Sequence, residues 1–245
     1  MCTLEKKGNI YILTLTGSGQ HRLNPTLIDS IRSALLILRS DQSSSSPYTA
    51  LITTSQGKFF SNGFDLDWAK SSPSRLKLMS SKLQSLISDL ISLPMPTIAA
   101  ITGHATAAGM ILALSHDYVL MRKDRGFLYM SEMDIGLVIP KWFVVLLKCK
   151  IGESKARREV ILGAAKLTAE MGLERGIVES VYGSAEETVE AAVKLGEEMV
   201  GRRWVGDVYA KNRMEVLREV MESIGLVEDV SEEDIDRFKK IQSNL

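Results

Sequence analysis

Pro96-Thr-Ile-Ala-Ala-Ile-Thr-Gly-His-Ala-Thr-Ala-Ala-Gly-Met110 opens on apolar and β-branched residues, passes through a run of small ones and enters an apolar stretch. Thr97–Ile101 reads as a buried strand, Gly103–Gly109 as a small-residue turn and Met110–Ser115 as a short helix. A second stretch of the same kind, Lys58-Phe-Phe-Ser-Asn-Gly-Phe-Asp-Leu66, follows the strand-like Thr49–Thr54. Small residues after a strand let a ligand approach the main chain, and a helix start leaves free N–H groups. Two such turns can hold one oxygen that carries negative charge.

Outward from these turns, Ile10–Thr16, Tyr118–Met121 and Phe127–Met130 read as further strands. Asn24-Pro25 starts a helix whose apolar positions are Leu27, Ile28, Ile31, Leu35 and Leu38. Leu76, Met79, Leu83, Leu86 and Leu90 mark another, ended by Pro94 and Pro96. From Lys141 onward only helices are expected, most clearly at Ser154–Leu162, Glu186–Val200 and Val208–Ile224. Alternating strands and helices with a helical tail define an α/β chain with a C-terminal helical region. We divide it at a soft boundary into 1–185, the core, and 186–245, the helical region.

The chain has 245 residues, 30 basic and 30 acidic, so its net charge is zero. That balance speaks against a broad electrostatic nucleic-acid binder. The apolar runs are too short to span a bilayer, and the first residues lack the apolar centre of a secretory signal. Two cysteines and three scattered histidines predict neither a disulfide framework nor a metal site. Any chemistry is left to carboxylates and backbone.

Phe59-Phe-Ser-Asn-Gly-Phe-Asp-Leu66 resembles the F-x-x-G-x-D-L signature of the crotonase, or enoyl-CoA hydratase/isomerase, superfamily. Pro96–Gly109 resembles its second signature, P-x-I-A-A-(V/I)-x-G-x-A-x-G-G-G, and the separation of the two also fits. Ser131-Glu-Met-Asp-Ile-Gly-Leu-Val-Ile-Pro-Lys-Trp142 is most similar to the Δ3,Δ2-enoyl-CoA isomerases, and the chain as a whole to their plant peroxisomal members. The resemblance implies a crotonase-type spiral of ββα units, a homotrimer or dimer of trimers, and an acyl-CoA substrate with no separate cofactor. It implies an oxyanion hole from the backbone N–H groups of Phe64 and Ala108. The family carries glycine where Ala108 stands; a methyl leaves the N–H available if φ is negative. Ser61, Asn62, Gly63, Phe64 and Asp65, with Ala108 and Ile111, would line the substrate path. Asp65 is expected to brace its turn.

Hydratases of the family use two glutamates. Here the first position is Ile111 and the second Glu132. Adding water needs one group to activate it and another to deliver a proton to carbon. Moving a double bond needs one base that takes a proton from C2 and returns it at C4. A single glutamate among Met130, Met133 and Ile135 fits the shift, and apolar surroundings would raise its pKa. The expected activity is conversion of cis- or trans-3-enoyl-CoA to trans-2-enoyl-CoA in the β-oxidation of unsaturated fatty acids. Alternatives are a hydratase, a thioester hydrolase, or a non-catalytic acyl-CoA- or RNA-binding relative.

His104 is expected to orient its loop, Asp67 and Asp134 to be solvated or capping, and Met79, Met110 and Met130 to fill core or acyl pocket. Arg202, Arg203, Lys211 and Arg213 form a basic cluster, read either as a solvated helix face or as a contact for CoA phosphates. The terminal Ser243-Asn244-Leu245 resembles the S-K-L peroxisomal address, so a peroxisomal import receptor is an expected partner.

Overall fold

The computed structural model describes residues 1–17, 19–42, 48–70 and 72–225. The hairpin β1 (Cys2–Lys7) and β2 (Ile10–Leu15) leads into α1 (Pro25–Gln42). Asn24 caps α1 as expected, its side-chain oxygen accepting the Leu27 N–H at 3.0 Å. There follow β3 (Ala50–Ser55), β4 (Phe59–Ser61), the short α2 (Leu66–Ala69), α3 (Pro73–Ile91), β5 (Thr97–Ile101), β6 (His104–Thr106), α4 (Ala108–Leu114), β7 (Tyr118–Arg122) and β8 (Leu128–Tyr129). The remainder is α5 (Lys141–Lys150), α6 (Ser154–Ile161), α7 (Ala169–Glu174), β9 (Ser180–Tyr182), α8 (Ala185–Gly201), α9 (Gly206–Val216) and α10 (Arg218–Ile224).

Strands alternate between two sheets. The larger has the order β1-β2-β3-β5-β7-β9, parallel except for the first hairpin. The smaller, β4-β6-β8, is parallel throughout. Each turn of the chain therefore lays one strand in the large sheet and the next in the small one. A helix then carries it back in the first two turns, and α5–α7 follow the third. This is the expected spiral of ββα units.

Period-two alternation divides the core. Ile10, Ile12, Ala50, Ile52, Ile98, Ala100 and Leu120 face one way, toward Ala192 and its neighbours on α8. Tyr11, Leu13, Leu15, Leu51, Ala99, Ile101, Val119 and Met121 face the other, into the main cluster with α1, α3, α4 and α5. Both faces of the central strands are dry, which is why these strands read as continuous apolar runs.

Four expectations are corrected. A strand, β9, lies beyond Lys141; at three half-buried residues it is too short to show a period. The stretches 58–66 and 103–109 each contain a strand, β4 and β6, too short at three residues to show a period. Val208–Ile224 is two helices, broken at Leu217 (φ −104°, ψ 26°), where the chain turns to set α10 against α5 and α3. Arg213 lies on no solvated face. Its guanidinium is buried, donating to the carbonyls of Ile91 (2.6 Å), Leu93 and Met95 (3.1 Å) and pairing with Asp117 at 2.7 Å. It thereby satisfies the last carbonyl of α3, which the helix itself cannot, and two more in the segment that leads to β5.

Candidate active site

The three strands of the small sheet run in the same direction, so their C-terminal ends lie on one edge. β4 releases Gly63 and Phe64 there, β6 releases Ala107 and Ala108, and β8 releases the segment that carries Glu132. The carboxyl edge of a parallel sheet is where α/β folds gather ligands, since loops diverge there and helix starts point inward.

The first two turns are pressed together. A β-carbon on Gly109 would stand 2.3 Å from the Ser61 carbonyl oxygen, so only glycine fits. Gly63 has φ +71°, and a β-carbon on it would lie 3.0 Å from Ala107 Cβ and 3.4 Å from the Ala108 nitrogen. The backbones carrying the Phe64 and Ala108 amides are therefore neighbours. Around them the main chain is paired: Leu23 N–H donates to Gly63 O (2.7 Å), Asp65 N–H to Leu23 O (3.2 Å) and Ala107 N–H to Tyr129 O (2.7 Å). The N–H groups of Phe64 and Ala108 have no such partner among the described residues. Buried amides are nearly always paired, so two adjacent unpaired ones form a ready anion site.

Ala108 opens α4, and the backbone strain falls one residue earlier. Ala107 has φ +49° and ψ −125°, a conformation that glycine adopts freely and alanine does not. This turn directs the Ala107–Ala108 peptide. The missing glycine in the motif was the signal for it.

The side chains around the donors are mostly engaged. Ser61 is fully buried and donates to His21 O at 2.8 Å. Asn62 donates to Gln20 Oε1 (2.6 Å) and accepts from Thr106 Oγ1 (2.7 Å), tying β4 to β6. Asp65 braces its turn as expected: one oxygen caps α2 by accepting the Trp68 N–H, the other accepts from Asn24. Phe64 meets Phe143 with ring centroids 6.3 Å apart. Ile111 is wholly buried in α4.

Glu132 is 6% exposed. Its Oε2 is buried and has no hydrogen-bond partner among the described residues. Burial lifts its pKa from the ordinary 4.5 to about 7, opposed only by its own backbone N–H. Met130 is buried beside it, whereas Met133 is half exposed, so the drying of Glu132 comes from tertiary packing more than from its sequence neighbours.

Other groups are occupied elsewhere. The His104 ring is wedged between Phe59 (5.1 Å) and Phe127 (4.1 Å), and burial with Lys58 and Arg125 nearby lowers its pKa. Asp67 is exposed and pairs with Arg22 and Lys70. Met79 and Met110 are buried. Tyr129 was overlooked in the sequence: its carbonyl holds Ala107 and its hydroxyl donates to Asp134. Among the described residues no group of three or more His, Cys, Asp or Glu side chains is placed to hold a metal ion. No helix among them is long and apolar enough to cross a membrane.

A spiral of two sheets, unpaired amides on two adjoining turns and one dry carboxylate define a crotonase-type protein. The model of the enoyl-CoA hydratase/isomerase family matches residues 5–235, and the chain belongs to that family. Within it, the chain is 63% identical over 221 residues to the Arabidopsis thaliana protein named enoyl-CoA delta isomerase 1, peroxisomal, covering 90% of this chain and 91% of that one. Enoyl-CoA delta isomerase 2, peroxisomal, of the same plant is 50% identical over 233 residues, covering 92% and 96%. Among solved structures, the Mycobacterium tuberculosis enoyl-CoA isomerase in its apo form superposes with a TM-score of 0.80 at 21% identity, covering 100% of this chain and 98% of that one. A family member from Pseudomonas syringae gives 0.82 at 21% identity, covering 100% and 98%.

Proposed function

We propose that the chain is a Δ3,Δ2-enoyl-CoA isomerase, converting 3-enoyl-CoA to trans-2-enoyl-CoA. The thioester oxygen is held by the N–H groups of Phe64 and Ala108. Charge withdrawn onto that oxygen acidifies the C2 hydrogen. Glu132 takes that proton, the dienolate is held by the two amides, and Glu132 returns the proton at C4, moving the double bond from C3–C4 to C2–C3. Proton and electron pairs balance within substrate and one carboxyl, and the CoA is part of the substrate. The reading rests on one observation above all: Glu132 is a buried carboxylate with an oxygen unpartnered among the described residues, while Ile111, where a hydratase carries the first of its two glutamates, is apolar and enclosed. The names of the two Arabidopsis thaliana relatives support the same reaction.

The reading extends to a peroxisomal site of action, on the names of those relatives and on Ser243-Asn244-Leu245, which lies outside the described residues. It also assigns the region from residue 186 to subunit assembly in a trimer or dimer of trimers and to CoA contacts. Incubation with 3-hexenoyl-CoA tests the activity: absorbance of the conjugated 2-enoyl thioester should grow, and a parallel 2-enoyl-CoA sample should gain no water. Hydration without isomerisation would overturn the assignment.

A further inference from the structure

The oxyanion turn and the base leave the small sheet on different strands, and a proton shuttle needs them at a set separation. Tyr129, the last residue of β8, bonds to the oxyanion turn and to the segment that carries the base. Its carbonyl accepts the Ala107 N–H at 2.7 Å, next to the amide of Ala108. Its hydroxyl donates to Asp134 Oδ2, two residues past Glu132. Between these points the chain is wound into a compact turn: Ile135 N–H donates to Ser131 O (3.2 Å), Gly136 N–H to Met133 O (3.3 Å) and Leu137 N–H to Glu132 O (2.9 Å). The Tyr129–Asp134 bond closes that turn onto β8. Above the Tyr129 ring, the Lys166 ammonium sits 5.0 Å from the centroid and holds it in place. Burial and the Asp134 carboxylate keep the phenol protonated up to about pH 12, so it is a donor at every working pH.

We propose that Tyr129 is a positioning residue for the isomerisation: through its carbonyl and its hydroxyl it fixes Glu132 relative to the oxyanion donors and keeps the Glu132 turn closed against water. The inference rests on the functional reading above. Opening the turn would both misplace the carboxylate and wet it, and a wetted carboxylate titrates lower.

Tyr129→Phe removes only the hydroxyl. It should lower kcat about 10-fold with KM within about twofold, and move the midpoint of kcat/KM down by about half a pH unit or more. Asp134→Ala should do the same, and the double variant should lose no more than the worse single one, since both cut one link. Asp134→Asn keeps an acceptor oxygen and should recover most of the loss. Wild-type kcat and midpoint in Tyr129→Phe, or losses that add in the double variant, would overturn the proposal. Thermal unfolding separates it from the functional reading. If wild type leaves 3-hexenoyl-CoA unchanged, that reading falls, but Tyr129→Phe should still show a smaller loss of Tm between pH 5 and 8 than wild type. An equal loss in the two would overturn the proposal by itself.

Discussion

Replacing Glu132 by Gln should kill the reaction and stabilise the protein, with a gain that grows as pH rises from 4.5 and levels off above 7. Gln keeps the shape of the protonated acid and can never ionise. In the wild type, Glu132 titrates at about 7 when folded and at about 4.5 when unfolded. The folded state therefore holds its proton more tightly. The stability this contributes is fully present below pH 4.5, declines as pH rises and is lost above 7. A shift of that size makes ionised Glu132 cost about 3 kcal/mol, of which about 2.5 kcal/mol appears between pH 5 and 8. At 6% exposure solvent screens little of this. For a chain of this length the difference corresponds to roughly 5–10 °C in Tm. The assay is thermal or urea unfolding of both proteins at pH 5, 6, 7 and 8. Other titrating groups, such as Glu179, are common to the two and cancel in the difference. The same group sets activity: kcat/KM of the wild type should rise with pH to a plateau, half-maximal near pH 7, and Glu132→Gln should lose about 10²–10⁴ in kcat while still binding acyl-CoA. Parallel pH–stability curves for wild type and Glu132→Gln would refute a dry, proton-holding Glu132, whatever the kinetics.

Ile111→Glu places a second carboxylate in a wholly enclosed position on α4; isomerase activity should fall, 2-enoyl-CoA hydration should become measurable but weak, and Tm should drop. Efficient hydration by the unmodified chain would contradict the role given to Ile111. Ala107→Gly should raise stability by about 1 kcal/mol, because the strain at φ +49° exceeds the added freedom of glycine in the unfolded chain; a loss on urea unfolding would show that the turn is unstrained. Arg213→Ala should cost about 3–5 kcal/mol, since it takes the paired cation from Asp117, which keeps its Thr97 donors, and the donor from three carbonyls, and Arg213→Lys should recover only part, having no fork to reach them. Removing Ser243–Leu245 from a fluorescent fusion that ends in Leu245 should turn a punctate signal in plant cells cytosolic; an unchanged pattern would exclude the tail as the address.

The periodic elements were legible because burial imposes a period. The continuous apolar runs of β2, β3, β5 and β7, buried on both faces, and the 3–4 spacing on α1 and α3 follow directly from which side chains must leave water. The two small-residue turns were legible too, because a backbone that approaches another within the volume of a methyl group leaves glycine or alanine no substitute. What these local patterns lacked was any record of distance. β4, β6 and β9 are three residues each, shorter than the windows that reveal a period, and they exist because a partner strand supplies their hydrogen bonds.

From its own residues the chain determined the strand–helix alternation and the two turns, and the family resemblance of its motifs marked Ile111 as the position that lacks a second glutamate. Tertiary structure alone decided the rest. It set the Phe64 and Ala108 amides beside each other from turns more than forty residues apart, moved the strain to Ala107, drew Arg213 from an apparent surface cluster into the interior, and dried Glu132 although Met133 beside it faces solvent. The reason is physical. Propensity and patterning act between neighbours in sequence, whereas desolvation, and with it the pKa of about 7 that lets one carboxylate both take and return a proton, is a property of everything packed around a group in space.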